Sequence, residues 1–314
     1  MKSLIRLEDL DPADFIIKWR MTEMCNINCS YCIRQHGNAK KIDKELLKKQ
    51  EVRLHEVAGC ISNFLNKTEL SNVKIDLIGG EVTLFDLSKI LFNLNTDKIK
   101  KIQITTNLTQ PVSYFKNLVN ILSEKGIGLS MTASCHYEFQ SLNAYFDKIK
   151  VLQEFVSPLT CEMVSHSGNQ DLCKEFKVRC EDIGVNYMLE ADLRDKSLSA
   201  RERGLMVASK KPSAGPRYKA KFSDGTEETY VTRNSFLYDK SIKENSEQKW
   251  IATEGYFCTN SAGFVYIDFD TAVGRTDKND SCTNRMPIEE FTITSPRRCP
   301  HKHCSLCGHM SLWK

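Results

Sequence analysis

The sequence predicts an α/β protein built around a parallel sheet, and two patterns carry that prediction. Between residues 15 and 193, short apolar runs alternate with longer amphipathic stretches, as repeated strand–helix units require. Six such units fit. Six are too few to close an eight-stranded barrel, so a partial barrel and an open doubly wound sheet are the two architectures the pattern allows. After residue 195 the alternation stops and a cysteine-rich tail follows.

The expected strands are Phe15–Met24, Val73–Ile78, Lys101–Thr106, Gly128–Ala133, Leu159–Val164 and Val185–Glu190. Helices are expected between them over Asp43–Leu65, Leu84–Leu94, Pro111–Lys125, Leu142–Phe155 and Asn169–Ile183. Proline at the head of the third suits a first helical turn, where its missing N–H is not needed. Lys210–Pro216 is a basic connector containing Pro, Gly and Ser. Tyr218–Phe222 and Glu227–Val231 then flank Ser223-Asp224-Gly225-Thr226. Asp-Gly between two alternating runs predicts a β-hairpin. A polar stretch over Asp239–Gln248 leads into the tail, and no internal repeat of solenoid period is present. Three segments result: 1–195, 196–249 and 250–314.

Composition bounds the function. The chain has 314 residues, 41% of them hydrophobic and 27% charged, which excludes disordered and collagen-like chains. Forty-four basic against 40 acidic residues leave +4, too little to argue for nucleic acid. No apolar run is long enough to span a membrane. The opening MKSLIRLEDLDPADF is acidic where a signal peptide is apolar, so a cytoplasmic location is expected. Thirteen cysteines are the anomaly. In a reducing compartment they argue for metal rather than disulfides.

Three of them lie in Met24-Cys25-Asn26-Ile27-Asn28-Cys29-Ser30-Tyr31-Cys32, directly after the first expected strand. In a βα fold, reactive groups collect at the carboxyl ends of strands, where this loop falls. Three thiolates can hold three irons of a cubane and leave the fourth open. The Cys-x3-Cys-x2-Cys spacing, with an aromatic before the last cysteine, resembles the signature of the radical S-adenosylmethionine (radical SAM) superfamily. That resemblance implies a partial (β/α)6 TIM-type barrel. It also implies a 4Fe-4S cluster on Cys25, Cys29 and Cys32, with S-adenosylmethionine chelating the open iron. Reductive cleavage to a 5′-deoxyadenosyl radical would then abstract hydrogen from a substrate. An electron donor of flavodoxin or ferredoxin type is implied as well. A zinc knuckle or a redox-active cysteine set is the simpler alternative for three clustered thiols.

Ile78-Gly79-Gly80-Glu81-Val82-Thr83-Leu84, at the end of the second expected strand, resembles the Gly-Gly-Glu-Pro-Thr-Leu segment of the same family, with Val82 in place of proline. Two glycines allow backbone to approach a ligand closely, and a carboxylate suits the cofactor's cationic amino group. Alone, this is an ordinary strand–helix turn. One unit after the cysteine loop, it strengthens the resemblance. Tyr31, Gly79, Gly80, Glu81, Thr106, Asn107 and Ser134 are the implied cofactor contacts, Ser134 through the ribose or carboxylate. His136 stands where the family commonly has an acid, and its role is open. Glu190 is a candidate contact whose plain alternative is a solvated or ion-paired carboxylate.

The tail holds Cys258, Cys282, Cys299, Cys304 and Cys307. Small loop-rich segments of this kind need a metal staple. Gly255-Tyr256-Phe257-Cys258, the run Gly263–Asp268 and Cys299-Pro300-His301-Lys302-His303-Cys304-Ser305-Leu306-Cys307 are similar to the twitch domain, the shortened form of the SPASM domain. The resemblance implies one auxiliary 4Fe-4S cluster. Cys258, Cys282, Cys304 and Cys307 are its simplest ligand set, with Cys299 as substitute or free thiol. Zinc, recruiting His301 or His303, is the alternative. Cys60, Cys135, Cys161, Cys173 and Cys180 read as small buried hydrophobes, with Cys135 the one to watch beside Ser134.

Members with such tails commonly modify ribosomally made peptides by crosslinking, thioether formation or epimerisation. Others dehydrogenate small molecules. A peptide substrate is therefore expected, with small-molecule or nucleotide chemistry, or a non-catalytic iron–sulfur or zinc protein, as alternatives. With the first strand expected near residue 15, no N-terminal leader-binding module is expected. The basic residues Arg201, Arg203, Lys210, Lys211, Arg217, Lys219 and Lys221 offer a surface to an anionic partner, diluted by Glu227 and Glu228.

Overall fold

Strand alternation and helix periodicity place one apolar layer between sheet and helices, and the computed structural model shows where it lies. It describes residues 4–9, 15–32, 42–192, 206–208, 218–230, 257–258, 264–267, 272–273, 286–287 and 297–298. The first segment runs β1 (Leu4–Asp9), β2 (Phe15–Thr22), α1 (Lys44–Asn66), β3 (Val73–Gly79), α2 (Leu87–Phe92), β4 (Ile99–Thr106), α3 (Val112–Glu124), β5 (Gly128–Cys135), α4 (Leu142–Leu152), β6 (Leu159–Ser165), α5 (Gln170–Asp182) and β7 (Asn186–Ala191). Beyond it come β8 (Met206–Ala208), β9 (Tyr218–Phe222), β10 (Glu227–Tyr230), β11 (Phe257–Cys258), β12 (Phe264–Ile267), β13 (Ala272–Val273), β14 (Met286–Pro287) and β15 (Arg297–Arg298).

The six expected strands are β2 to β7, paired in parallel in chain order. That order decides between the two architectures. A doubly wound sheet reverses its strand order at a switch point. Here every crossover steps the same way, and right-handed crossovers then put all the helices on one face. The arrangement is that of a partial barrel. On the helix side Phe15, Ile17, Trp19 and Met21 of β2 are fully buried, as are Ile75, Leu77, Ile102, Ile104, Ala133 and Cys161. Burying each of the large apolar side chains contributes roughly 1.5–3 kcal/mol. The opposite face is polar. Lys18, Asp76, Gln103 and Ser130 lie in register across β2 to β5, and Thr105, Thr132, Thr160 and Asn186 across β4 to β7.

Several boundaries differ from expectation for local reasons. The first strand stops at Thr22, because Met24 N turns back to Thr22 Oγ1 (2.9 Å). The expected helix Leu84–Leu94 is a 3-10 turn, Val82–Leu84, followed by α2. Phe85 is extended between them, and the Asp86 side chain caps α2 by accepting from Lys89 N. The expected helix Leu142–Phe155 ends at Leu152. Asp43 caps α1 by accepting from Glu45 N and Leu46 N, and Pro111 precedes α3 as its N-cap.

Outside the six units, the segments interlock. The predicted hairpin forms as β9 and β10, with Gly225 at φ +81° in its turn, and β1 adds to β9 from the N-terminal segment. Neither β1 nor β8, which pairs antiparallel to β7, carries a signal strong enough to be read from sequence. Within the tail, β12 lies parallel to β2 and continues the main sheet, with Ile267 fully buried beside Trp19 in the register. No helix among the described residues is long and apolar enough to cross a membrane.

Candidate functional site

The site is built where β2 and β3 end side by side. Gly80 N donates to Thr22 O (2.8 Å), and Glu81 N donates to Met24 O (2.8 Å). Two main-chain bonds thus fasten the Gly79-Gly80-Glu81 turn to the start of the cysteine loop. Approach this close leaves no room for a side chain. A Cβ on Gly79 would lie 2.3 Å from Thr22 O, and one on Gly80 would lie 2.0 Å from Met24 O. Gly79 also has φ +147°, a conformation that disfavours any L side chain. The two glycines thus admit the protein's own neighbouring backbone where a side chain would stand. Gly80→Ala should therefore destabilise the fold by the upper part of the roughly 1–3 kcal/mol that overpacking costs. Chemical denaturation checks this, and an unchanged midpoint would show that the two strand ends can separate freely.

Glu81 is 1% exposed and its carboxylate is fully engaged. Oε1 accepts from Thr83 N (3.0 Å), Thr83 Oγ1 (2.6 Å) and Thr106 Oγ1 (2.8 Å), while Oε2 accepts from Asn107 N (2.7 Å). Burial pushes its carboxyl up, and the bonds from Thr83, Asn107 and Thr106 pull it back. Both oxygens hold the ends of β3 and β4 together. Thr106 and Asn107, both nearly fully buried, are in the same network.

Asn107 carries that network into the cysteine loop. Its Nδ2 donates to Asn26 Oδ1 (2.8 Å) and points to Cys25 Sγ (3.8 Å), and its Oδ1 accepts from Thr109 N (3.1 Å). Asn26 Nδ2 donates in turn to Thr109 Oγ1 (2.8 Å). Leu108 completes the turn at φ +56°, unusual for a branched side chain and held by these bonds.

From the other side, the segment following β5 meets the loop. His136 Nδ1 lies 3.1 Å from Cys29 Sγ and 3.1 Å from Tyr31 Oη. Tyr31 is 4% exposed, its ring stacked on His136 and on Tyr137 at 6.0 and 5.3 Å between centroids. Glu138 accepts from Ser30 N (2.8 Å) and from Ser30 Oγ. Tyr31, an expected cofactor contact, is thus packed against two protein rings. Sequence reasoning missed Asn26, Tyr137, Glu138 and Glu162; only Asn26 lies within a motif that could have flagged it. Ser134 Oγ donates to Glu162 Oε2 (3.3 Å) on the polar face, where burial and the neighbouring Glu190 push the Glu162 carboxyl up. Glu190 is thus engaged with a carboxylate rather than with a cation.

Cys25, Cys29 and Cys32 are free thiols at intermediate exposure on one loop, and Cys32 N donates to Cys29 O (3.1 Å). Burial raises Cys25 and pushes Cys29 up to about 12, with Tyr31 hydrogen-bonded to Cys29 pulling the other way. Thiols in such surroundings ionise when a cationic partner takes the proton's place. Three soft sulfur donors, met by N–H and O–H donors from Asn107, Tyr31 and His136, fit an iron–sulfur cluster bound at three corners. No three His, Cys, Asp or Glu side chains among the described residues are grouped as for a single metal ion.

Among the other cysteines, Cys135, Cys161, Cys173 and Cys180 are buried as expected, and Cys60 is half-buried. Cys258 lies in β11, while Cys282, Cys299, Cys304 and Cys307 lie outside the described residues, as do Arg201, Arg203, Lys210, Lys211 and Arg217. Lys219 is ion-paired to Glu227 (2.6 Å), which uses part of the expected basic surface.

No profile of a known protein family matches the chain. Among curated proteins it is similar to a probable GTP 3′,8-cyclase of Methanococcus maripaludis, 25% identical over 166 residues. That match covers 52% of this chain and 45% of the relative, so it spans less than half of that protein. Among solved structures, anSMEcpe with bound AdoMet superposes with a TM-score of 0.48 at 14% identity, covering 88% of this chain and 79% of the other. SuiB of Streptococcus suis bound to S-adenosylmethionine superposes with a TM-score of 0.47 at 12% identity, covering 90% and 64%.

Proposed function

We propose that the chain is an enzyme of the radical SAM superfamily, with a peptide as substrate. One observation carries the reading: a Cys-x3-Cys-x2-Cys loop and a Gly-Gly-Glu turn, separated by some fifty residues of sequence, are hydrogen-bonded into one unit at the carboxyl ends of adjacent parallel strands. The curated relative, a cyclase by name, supports enzymatic chemistry over a binding module. A 4Fe-4S cluster with S-adenosylmethionine on its open iron supplies one-electron cleavage and a primary carbon radical.

The chain's own residues do the rest. Cys25, Cys29 and Cys32 supply three thiolates. Asn107, Tyr31 and His136 aim donors at those sulfurs and set their orientation. Gly79, Gly80 and Glu81, at the end of β3 beside the cysteine loop, would meet the cofactor's amino group, as the resemblance implies. Ser134, beside Glu162, lies on the polar face of the sheet. A substrate would meet that polar face rather than the apolar layer under the helices. The tail, with Cys258, Cys282, Cys299, Cys304 and Cys307, holds an auxiliary 4Fe-4S cluster and gives the peptide reading its support.

Anaerobically reconstituted, dithionite-reduced protein supplied with S-adenosylmethionine should release 5′-deoxyadenosine, read by chromatography and mass. None released from iron-loaded protein would remove the proposal. Candidate peptides and GTP form the two substrate arms. A mass change in GTP alone would transfer the substrate to the nucleotide class.

A further inference from the structure

The loop leaving β5 grips the cysteine loop in three places. Glu138 takes both polar groups of Ser30, Tyr137 stacks on Tyr31, and His136 Nδ1 stands 3.1 Å from Cys29 Sγ. Tyr137 and Glu138 lie outside the motifs that carry the family resemblance, and His136 departs from the acid the family commonly has at its position. Each acts on the stretch Cys29–Cys32, and together they fix how the middle cysteine is presented.

The geometry points to His136 as a positioning residue that raises the reduction potential of the cluster on the cysteine loop, by donating Nδ1–H to Cys29 Sγ. This rests on the proposed function. A sulfur bound to iron is a thiolate, which accepts hydrogen bonds and donates none. A ring nitrogen facing it at this distance must therefore carry the proton, which excludes the neutral tautomer protonated only at Nε2. Tyr31 Oη, also close to Nδ1, is free as a hydroxyl to direct its own proton to the same sulfur. Hydrogen bonds to cluster sulfurs draw charge from the metal core and favour the more negative, reduced state. Losing one should make reduction harder.

The geometry resists drift. Tyr31 lies nearly parallel to the imidazole (8°) and closes one side of it, and the Glu138 carboxylate ties the loop through Ser30. Such outer partners of metal ligands orient the ligand and tune the metal. His136 thus acts on the potential through Cys29, without touching cofactor or substrate.

The test compares native full-length protein, His136→Leu and His136→Asn, all loaded with iron and sulfide without oxygen. Asparagine carries its amide nitrogen the same number of bonds from Cα as Nδ1. The signal to follow is the reduced-cluster EPR spectrum that changes on adding S-adenosylmethionine. Its midpoint should fall in His136→Leu by about tenfold in the reduced-to-oxidised ratio at fixed poise, about 59 mV for one electron. His136→Asn should recover most of the shift. Native protein made with ¹⁵N-histidine should show a ¹⁵N coupling to that cluster, which decides the matter if the leucine variant fails to load. An unmoved midpoint in His136→Leu, or no histidine coupling in native protein, overturns this role alone. A native protein with no S-adenosylmethionine-responsive signal overturns the proposed function with it.

Discussion

Alanine at Cys25, Cys29 and Cys32 together is expected to abolish 5′-deoxyadenosine formation, a fall to the level of protein-free controls. The magnitude follows from what the three side chains do. They are the only cysteines on the loop that the Gly-Gly-Glu turn holds, and no other thiolate set lies beside it among the described residues. A cluster lost at this position takes with it the electron route to the cofactor, so the effect is all or none. The same variant should keep part of its iron, because the tail cysteines are a separate set. Iron analysis and Mössbauer spectra check both halves. Retained 5′-deoxyadenosine would disprove the assignment of this loop, and complete loss of iron would disprove two independent sites.

Glu81→Ala is expected to be the most destabilising single change in the site, by more than about 3 kcal/mol, the upper end of what one unsatisfied buried group costs. The residue's two oxygens accept from Thr83 N, Thr83 Oγ1, Thr106 Oγ1 and Asn107 N in a buried position. Alanine leaves four donors without their acceptor, and each such group costs about 1–3 kcal/mol where water cannot replace it. Water entering the cavity limits the sum. Glu81→Gln keeps the volume and one acceptor oxygen but turns an amide toward N–H and O–H donors, so it should lie between. Urea denaturation of the iron-free chain gives the comparison without any cluster. A loss under about 1 kcal/mol in Glu81→Ala would return the carboxylate to the role of a free ligand group.

Much of the frame was legible in the sequence because parallel strands buried on one face must carry apolar runs of limited length. Phe15, Ile17 and Trp19 alternate with Ile16, Lys18 and Arg20, and the two sets separate onto the two faces. Val73–Ile78 and Gly128–Ala133 read the same way. β1 and β8 were not legible, since each is a short strand whose existence depends on a partner far along the chain: β9 for the first, β7 for the second. The tail run Gly263–Asp268 was marked only by its resemblance to the twitch domain, and neither its strand, β12, nor its place beside β2 was read from sequence.

In the site the division is sharper. Spacing alone singles out Cys25, Cys29 and Cys32, because a cluster's corners require ligands a few residues apart on one turn. Spacing also marks Gly79, Gly80 and Glu81, yet it does not record what they do for the protein's own packing. Whether a glycine makes room for a ligand or for the neighbouring strand depends on the register of β2 against β3, which no local pattern records. The same holds for Glu81, whose four donors come from two different strand ends. His136 and Glu138 reach Cys29 and Ser30 across more than a hundred residues of chain, a contact that only closure of the sheet creates.

Local chemistry therefore marked which side chains are candidates for iron and which segments fold as strands, since both depend on residues adjacent in sequence. Tertiary structure alone decided which polar groups are consumed in holding strand ends together and which are left to face a ligand. The reason is that a hydrogen-bonding group has few bonds to give, and long-range pairing determines where they go.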